Sequence, residues 1–228
     1  NKKVVDTVNK GEVHFFEPGL KKLLNETIGA NKFKASLTPS FSDVFVIAVP
    51  TPFKKTHGKI PEPDIQFVLS AARSISPYLK DGNLIIIEST SPVGTTERVK
   101  EEIENYSSCN IDKIHICYCP ERVIPGNILN ELVLNNRVIG GIKGDDAKIA
   151  KVFYKSFCEG EIKLTDTRTA ELVKLTENTF RDVNIALANE ISVICDFLNI
   201  DVHELIHLSN QHPRVNILKP GCGVGGHC

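Results

Sequence analysis

Three short apolar runs constrain this chain more than anything else in it: Val44-Phe-Val-Ile-Ala-Val49, Leu84-Ile-Ile-Ile87 and Ile114-His-Ile-Cys-Tyr118. Each is rich in β-branched residues. None shows the polar alternation of a strand with one wet face, so each reads as a strand buried on both sides. Helical patterns lie between and after them, over 64–79, 94–106 and 145–157. Strand and helix alternating in this way predict an α/β fold built on a doubly wound parallel sheet. Val138-Ile-Gly-Gly141 and Ile162-Lys-Leu164 add two short strands. Helices are also expected over 4–8 and from Pro18 to Ile28, where Gly29 ends the second.

The character changes after Asp166. Residues 169–198 form a long helical pattern free of Gly and Pro, and its second half carries apolar residues around much of the circumference, from Val183 to Leu198. A helix apolar on most sides is expected to be buried on most sides, bridging two domains or two subunits. A shorter helix over 202–208 and a Gly- and Pro-rich loop from Gln211 to Cys228 follow. The expected division is an α/β sheet domain over 1–166 and a helical region over 167–228.

The charge balance, 27 basic against 28 acidic residues, gives no electrostatic reason to expect nucleic acid or an anionic membrane as partner. Any anionic ligand must be met locally, by placed Arg or Lys residues or by a helix N-terminus. No run approaches the roughly 18 apolar residues of a membrane span, and the start is amphipathic rather than a signal core. Seven cysteines, an odd number at irregular spacings, read as free thiols of a cytoplasmic protein rather than a disulfide frame. The chain has no Met and stops on a Gly-rich run, so it reads as a piece of a longer protein.

The three buried strands end in unusual polar segments: Pro50-Thr51-Pro52, Glu88-Ser-Thr-Ser-Pro-Val-Gly-Thr-Thr96 and Cys119-Pro-Glu-Arg122. Ligands of open parallel sheets bind at the carboxyl ends of the strands. Any one segment is an ordinary turn, since Thr-Pro and Ser-Pro favour turns. Three together aim hydroxyl, carboxylate and guanidinium groups at one crevice. Gly94-Thr95-Thr96 also opens a helix, whose free N–H groups can hold a phosphate or be capped by a Thr.

On the long helix, Lys174, Asn178 and Arg181 are spaced to share a face, with Glu171 and Glu177 one turn to either side of Lys174. Such spacing commonly marks a solvated, salt-bridged face. If the helix is internal, Lys174 loses solvent and suits proton transfer. The tail carries His212-Pro-Arg214 and then Lys219-Pro-Gly-Cys-Gly-Val-Gly-Gly-His-Cys228. No strand precedes this run, which weakens a dinucleotide fingerprint. A metal set of Cys222, His227, Cys228 and His212 matches no standard zinc spacing. His227 and Cys228 are adjacent, awkward for a hydrolase dyad. A reactive Cys228 in an open glycine loop, partnered by Lys174, fits best.

In order along the chain, Ile47-Ala-Val-Pro-Thr-Pro52, Glu88-Ser-Thr-Ser-Pro-Val-Gly94, Tyr118-Cys-Pro-Glu-Arg122, Glu171-Leu-Val-Lys-Leu-Thr-Glu-Asn178 and Gly223-Val-Gly-Gly-His-Cys228 resemble the UDP-glucose/UDP-N-acetylmannosamine dehydrogenase family. The resemblance covers essentially the whole chain and is specific as a combination, although each motif alone is weak. It implies an incomplete Rossmann-like sheet followed by the family's long central helix, and a homodimer through that helix. It implies NAD-dependent oxidation of the C6 alcohol of a UDP-sugar to the carboxylate. Cys228 would attack the intermediate aldehyde, giving a thiohemiacetal and then a thioester. Lys174 would exchange protons or stabilise the oxyanion, helped by Asn178. Glu121 would handle water or the alcohol proton, and Thr90 the water network. Thr51 and Thr96 would touch NAD. Arg122, Val123, Arg181, His212, Arg214 and Gly225 would contact the UDP-sugar together with Lys174 and Asn178.

Glu121-Arg-Val-Ile-Pro-Gly126, Asn136-Arg-Val-Ile-Gly-Gly141 and Asn210-Gln-His-Pro-Arg-Val-Asn-Ile217 look most like the N-acetylmannosamine enzymes. UDP-N-acetylglucosamine and UDP-glucose are the other substrates to weigh. The product would be a uronic acid for cell-surface polysaccharide. Two departures stand out: the Gly-rich first βαβ unit expected before Asn1, and the C-terminal nucleotide-binding domain expected after Cys228, are not in this sequence. A truncated copy kept only for binding or assembly, or a 3-hydroxy-acid type of dehydrogenase with a catalytic Lys, are the competing readings. The Gly-rich loop ending in Cys228 and the pair Glu121-Arg122 favour the sugar-nucleotide enzyme over the latter.

Overall fold

The computed structural model describes residues 1–54 and 60–223. Five strands make one sheet in the order β1 (Val44–Ile47), β2 (Leu84–Ile87), β3 (His115–Tyr118), β4 (Arg137–Gly141) and β5 (Ile162–Asp166). The helices are α1 (Lys2–Asn9), α2 (Leu20–Gly29), α3 (Gln66–Ile75), α4 (Thr95–Tyr106), α5 (Ile128–Leu134), α6 (Asp146–Lys155), α7 (Thr167–Leu198) and α8 (Val202–Ser209). Every expected strand and helix is present within a few residues of its expected bounds; α5 was not foreseen.

The architecture follows from β2, whose four residues are all buried. Side chains alternate across a strand. Ile85 and Ile87 therefore join Phe45, Ile116 and Tyr118 beneath residues of α3 and α4 such as Val68 and Val99. Leu84 and Ile86 point the other way, to Cys117, Ile139 and the α6 residues Ala147, Ala150 and Tyr154. Helices thus cover both faces, as a doubly wound sheet requires. Each fully buried Ile contributes about 1.5–3 kcal/mol relative to exposure.

Two expectations need correction. The sheet is mostly rather than wholly parallel: β1, β2 and β3 run parallel, β4 pairs antiparallel with β3, and β5 runs parallel to β4. A parallel crossover must carry the chain back along the whole strand. The link from Tyr118 to Arg137 contains only the seven-residue α5 and instead turns the chain round at the end of β3. The second correction concerns β1, which lies at an edge with Val46 44% exposed rather than buried on both faces.

The chain divides into two compact units, Asn1–Glu171 and Leu172–Cys228. In the second, α7 continues to Leu198, Asn199 adopts a left-handed φ of 54°, and the Asp201 side chain caps α8 through the His203 and Glu204 amides. Ala188 and Cys195 are buried, but Val183, Leu187, Val193 and Ile194 are exposed, and Phe197 is 85% exposed. Apolar wrapping tells how much of a helix calls for cover; α8 and a loop do not cover most of it. Among the described residues no helix is long and apolar enough to cross a membrane.

Where β4 meets β5 the backbones leave no room for a side chain. A Cβ on Gly140 would lie 2.4 Å from the Asp166 carbonyl oxygen, whereas one on Gly144 would meet nothing within 4 Å. Gly140→Ala is expected to destabilise the fold by about 2–3 kcal/mol, and Gly144→Ala to change it little. Urea denaturation of the two variants checks this; equal midpoints would contradict the packing described.

Candidate functional site

The polar segments after β1 and β2 are stitched together. Ser89 Oγ accepts from the Val49 amide at 2.8 Å and donates to the Val49 carbonyl at 2.7 Å. Thr51 Oγ1 donates to the Thr90 carbonyl at 2.6 Å. Pro50 and Pro52 contribute no N–H, so these hydroxyls replace the ladder bonds that the strands no longer make. Thr51 and Thr90 are half-buried, at the carboxyl ends of adjacent parallel strands.

The start of α4 is not the open anion site the sequence suggests. The Glu171 carboxylate fills it, accepting from the Gly94 amide at 2.6 Å, the Thr96 amide at 2.8 Å and Thr96 Oγ1 at 2.6 Å. A carboxylate is the natural occupant of a helix N-terminus, and Glu171 is fully buried there. Thr96 is fully buried too, its hydroxyl held by Glu171. The expected contact of Thr96 with a cofactor therefore has no free hydroxyl behind it. Gly94 sustains the turn with φ +93°.

Glu121, just beyond β3, is half-buried. Its Oε1 accepts from the Arg122 amide at 2.6 Å, and its Oε2 lies 3.8 Å from Arg137 Nη1. Arg137, only 3% exposed, stacks 4.6 Å from the centroid of Tyr154 and donates through Nη2 to the Leu132 carbonyl. Tyr154 in turn donates to Glu88 Oε1 at 2.6 Å. Burial holds the Glu88 carboxyl above its ordinary range, against the lowering effect of the Tyr154 bond. Burial also pushes the Cys119 thiol up to about 11 and Cys117 up as well, so neither is a thiolate nucleophile at neutral pH.

The sequence did not single out Arg137 and Tyr154. Arg137 reaches Glu121 because β4 runs antiparallel to β3: Tyr118 faces Gly140, and continuing that register brings 121 to 137. Arg122 donates from Nη1 to the Asn136 carbonyl, and its own carbonyl accepts from Asn135 Nδ2. Val123 is half-buried beside it.

In the second unit Lys174 is buried, Asn178 half-buried and Arg181 exposed along α7. His212 and Arg214 are exposed in the turn after α8, where the Arg214 amide donates to His212 Nδ1 at 3.4 Å. A feature missed from sequence is how the tail is held. Asn184 donates to the Asn216 carbonyl and accepts from the Leu218 amide, Asn189 bonds both backbone groups of Gly221, and Asn210 both of Ile217. Asparagines spaced along a helix are too common to have flagged this. Gly225, His227 and Cys228 lie outside the described residues. Among the described residues no three His, Cys, Asp or Glu side chains are grouped to hold a metal.

Residues 1–158 match the NAD binding domain of the UDP-glucose/GDP-mannose dehydrogenase family, and residues 168–228 match its central domain. The chain belongs to the UDP-glucose/GDP-mannose dehydrogenase family. Over its whole length it is 50% identical to the UDP-N-acetyl-D-mannosamine dehydrogenase of Campylobacter jejuni and 51% to that of Escherichia coli K12, covering 57% and 55% of those proteins. Among solved structures it resembles the UDP-N-acetyl-mannosamine dehydrogenase Cap5O of Staphylococcus aureus, with TM-score 0.88, 49% identity and 55% of that chain covered. The enzyme of the same description from Pyrococcus horikoshii gives TM-score 0.92 at 42% identity, with 54% covered. Each match covers 100% of the present chain, which spans about half the length of the curated relatives it matches.

Within this family member the half-buried Glu88 makes a test of the site's electrostatics. A carboxyl raised in the folded state holds its proton more tightly there than in the unfolded chain. The stability it contributes is present at low pH and lost as pH rises through the raised value. Glu88→Gln removes that loss, so its melting temperature relative to wild type is expected to climb from about pH 4.5 to about pH 7.5. A difference that stays constant with pH would show that Glu88 is not held above its ordinary range.

Proposed function

We propose that the full-length protein oxidises the C6 alcohol of a UDP-sugar, UDP-N-acetyl-D-mannosamine in the first instance, to the uronic acid in an NAD-dependent four-electron reaction. The observation that carries this is identity of about half the residues across the entire chain to UDP-N-acetyl-D-mannosamine dehydrogenases. The strand-end groups support it: the half-buried Thr51 and Thr90 lie where open parallel sheets bind dinucleotides. Residues 1–166 serve as the cofactor domain and 167–228 as the dimerisation and catalytic region of a cytoplasmic enzyme. When bound, NAD accepts the hydrides of both oxidation steps, and Thr51 is the residue of this chain assigned to hold it.

The remaining chemistry belongs to side chains. The Cys228 sulfur adds to the C6 aldehyde, and the buried Lys174 ammonium, with Asn178 on the next turn, stabilises the oxygen that becomes negative. Oxidation of this thiohemiacetal leaves a thioester. Glu121 deprotonates the water that attacks it, Thr90 helps to position that water, and the acid leaves as the thiolate is restored. Arg122, Val123, Arg181, His212, Arg214 and Gly225 hold the UDP-sugar. Cys228→Ser in the full-length protein is expected to abolish net formation of the acid. Assays with NAD and UDP-N-acetylmannosamine, UDP-N-acetylglucosamine and UDP-glucose side by side check both substrate and nucleophile; unchanged NADH production by the variant would reject the thiol mechanism.

The same reading makes the enzyme a homodimer through α7. Its exposed apolar face lines a groove of about 470 Å³ that includes Leu172, Leu175, Phe180, Val183 and Leu187. A row of this kind in water forgoes about 1.5–3 kcal/mol for each large side chain left uncovered. Sedimentation of the full-length protein at micromolar concentration should show a dimer that Phe180→Lys with Leu187→Glu converts to monomer. A monomeric wild type would sink the assignment.

A further inference from the structure

The segment from Glu121 to Asn127 has no regular structure, yet three of its amides and that of Ile128, the first residue of α5, are held by carboxylates. The Arg122 amide donates to Glu121, the Ile124 amide to Glu131 Oε2 at 2.8 Å, and the Gly126 and Ile128 amides to the two oxygens of Glu17, each at 2.8 Å. Glu121 and Glu131 come from the segment itself and from α5, which it leads into. Glu17 comes from more than a hundred residues earlier and is 5% exposed.

The sequence around Glu17 fixes where its carboxylate points. In Glu17-Pro18-Gly19-Leu20 the Leu20 amide donates to the Glu17 carbonyl, and Gly19 has φ +81°. This is the turn that Pro followed by Gly favours. A Cβ on Gly19 would meet Leu129 Cδ1 at 3.1 Å, so the turn sits directly against α5. Gly126, whose amide Glu17 accepts, itself has φ +93°. Both sides of the contact thus use glycine to hold a left-handed turn.

We propose that Glu17 is a positioning residue for the sugar-nucleotide loop: it fixes the Gly126–Ile128 end of the segment whose other end carries Glu121, Arg122 and Val123. The inference rests on the reading that those three residues meet the UDP-sugar. Releasing the far end lets the loop sample other conformations, and binding must then select the competent one. The cofactor, held after β1, does not depend on this strap.

The test compares full-length wild type with Glu17→Gln, which keeps the size but replaces one acceptor by a donor, and with Glu17→Ala, which removes both. Three quantities are measured below the unfolding temperature: KM for the UDP-sugar, KM for NAD, and hydrogen exchange of the peptide spanning 121–128. Glu17→Gln is expected to raise KM for the UDP-sugar about tenfold, to leave KM for NAD within about twofold, and to speed exchange of that peptide. Faster exchange with an unchanged sugar KM would overturn the positioning role while leaving the proposed activity standing. A fall in kcat alone, in step with the fraction of folded protein, would also overturn it. If Glu17→Ala does not fold, Glu17→Gln carries the test unaided. A wild type that binds none of the three UDP-sugars would overturn the underlying reading, and the wild-type baseline shows which has failed.

Discussion

Strand β2 has no face on which water is tolerated, and the first unit is organised by that constraint. Four consecutive residues, Leu84 to Ile87, are buried on both sides, so β1 and β3 must flank the strand and helices must lie above and below it. The consequence for chemistry lies at the ends of these strands. A parallel arrangement brings the carboxyl ends of β1, β2 and β3 to one edge of the sheet, and the polar residues that stop each strand collect there whatever their own preferences. The hydrophobic core and the site are therefore one solution to one packing problem.

Loops leaving such a sheet need partners for backbone groups that no longer pair. In this chain glutamates meet much of that need. Glu171 closes the start of α4, while Glu17, Glu121 and Glu131 hold the segment after β3. Each bond between an amide and a carboxylate is stronger than its neutral equivalent and fixes the donor's position closely. Behind them, the buried Arg137 lies between Glu121 and the Glu88–Tyr154 pair. The Arg137 guanidinium and the helix and loop amides thus offset negative charge crowded around the strand ends.

Much of this was legible in the sequence. Continuous β-branched runs gave the strands, and Pro-bounded polar segments marked where they end. What could not be read was register. That β4 turns back against β3, bringing Arg137 to Glu121, depends on the linking segment holding only a short helix, and α5 carries too few residues to announce itself. The role of Glu171 was hidden differently. Its distance in sequence from Gly94 and Thr96 left the start of α4 looking like an empty anion site. The long helix is a different case, because an apolar circumference says how much cover is needed and not whether it comes from the same chain.

The second unit solves a different problem with the same economy of parts. Glycine raises the entropy lost when a segment is ordered, and the segment leading to Gly221 has no regular structure to order it. Side-chain amides meet this cost well. Asn189 bonds both the N–H and the C=O of Gly221, and Asn210 does the same for Ile217, each imitating a neighbouring β-strand for a single residue. Asn184 joins Asn216 to Leu218 in the same manner. At about 1 kcal/mol net for each hydrogen bond, six such bonds are of the right order to hold the segment from Asn216 to Gly221 along α7 without adding bulk beside the glycines. The backbone from Asn216 to Gly221 is thereby fixed by side chains of its own unit rather than by a strand of a sheet.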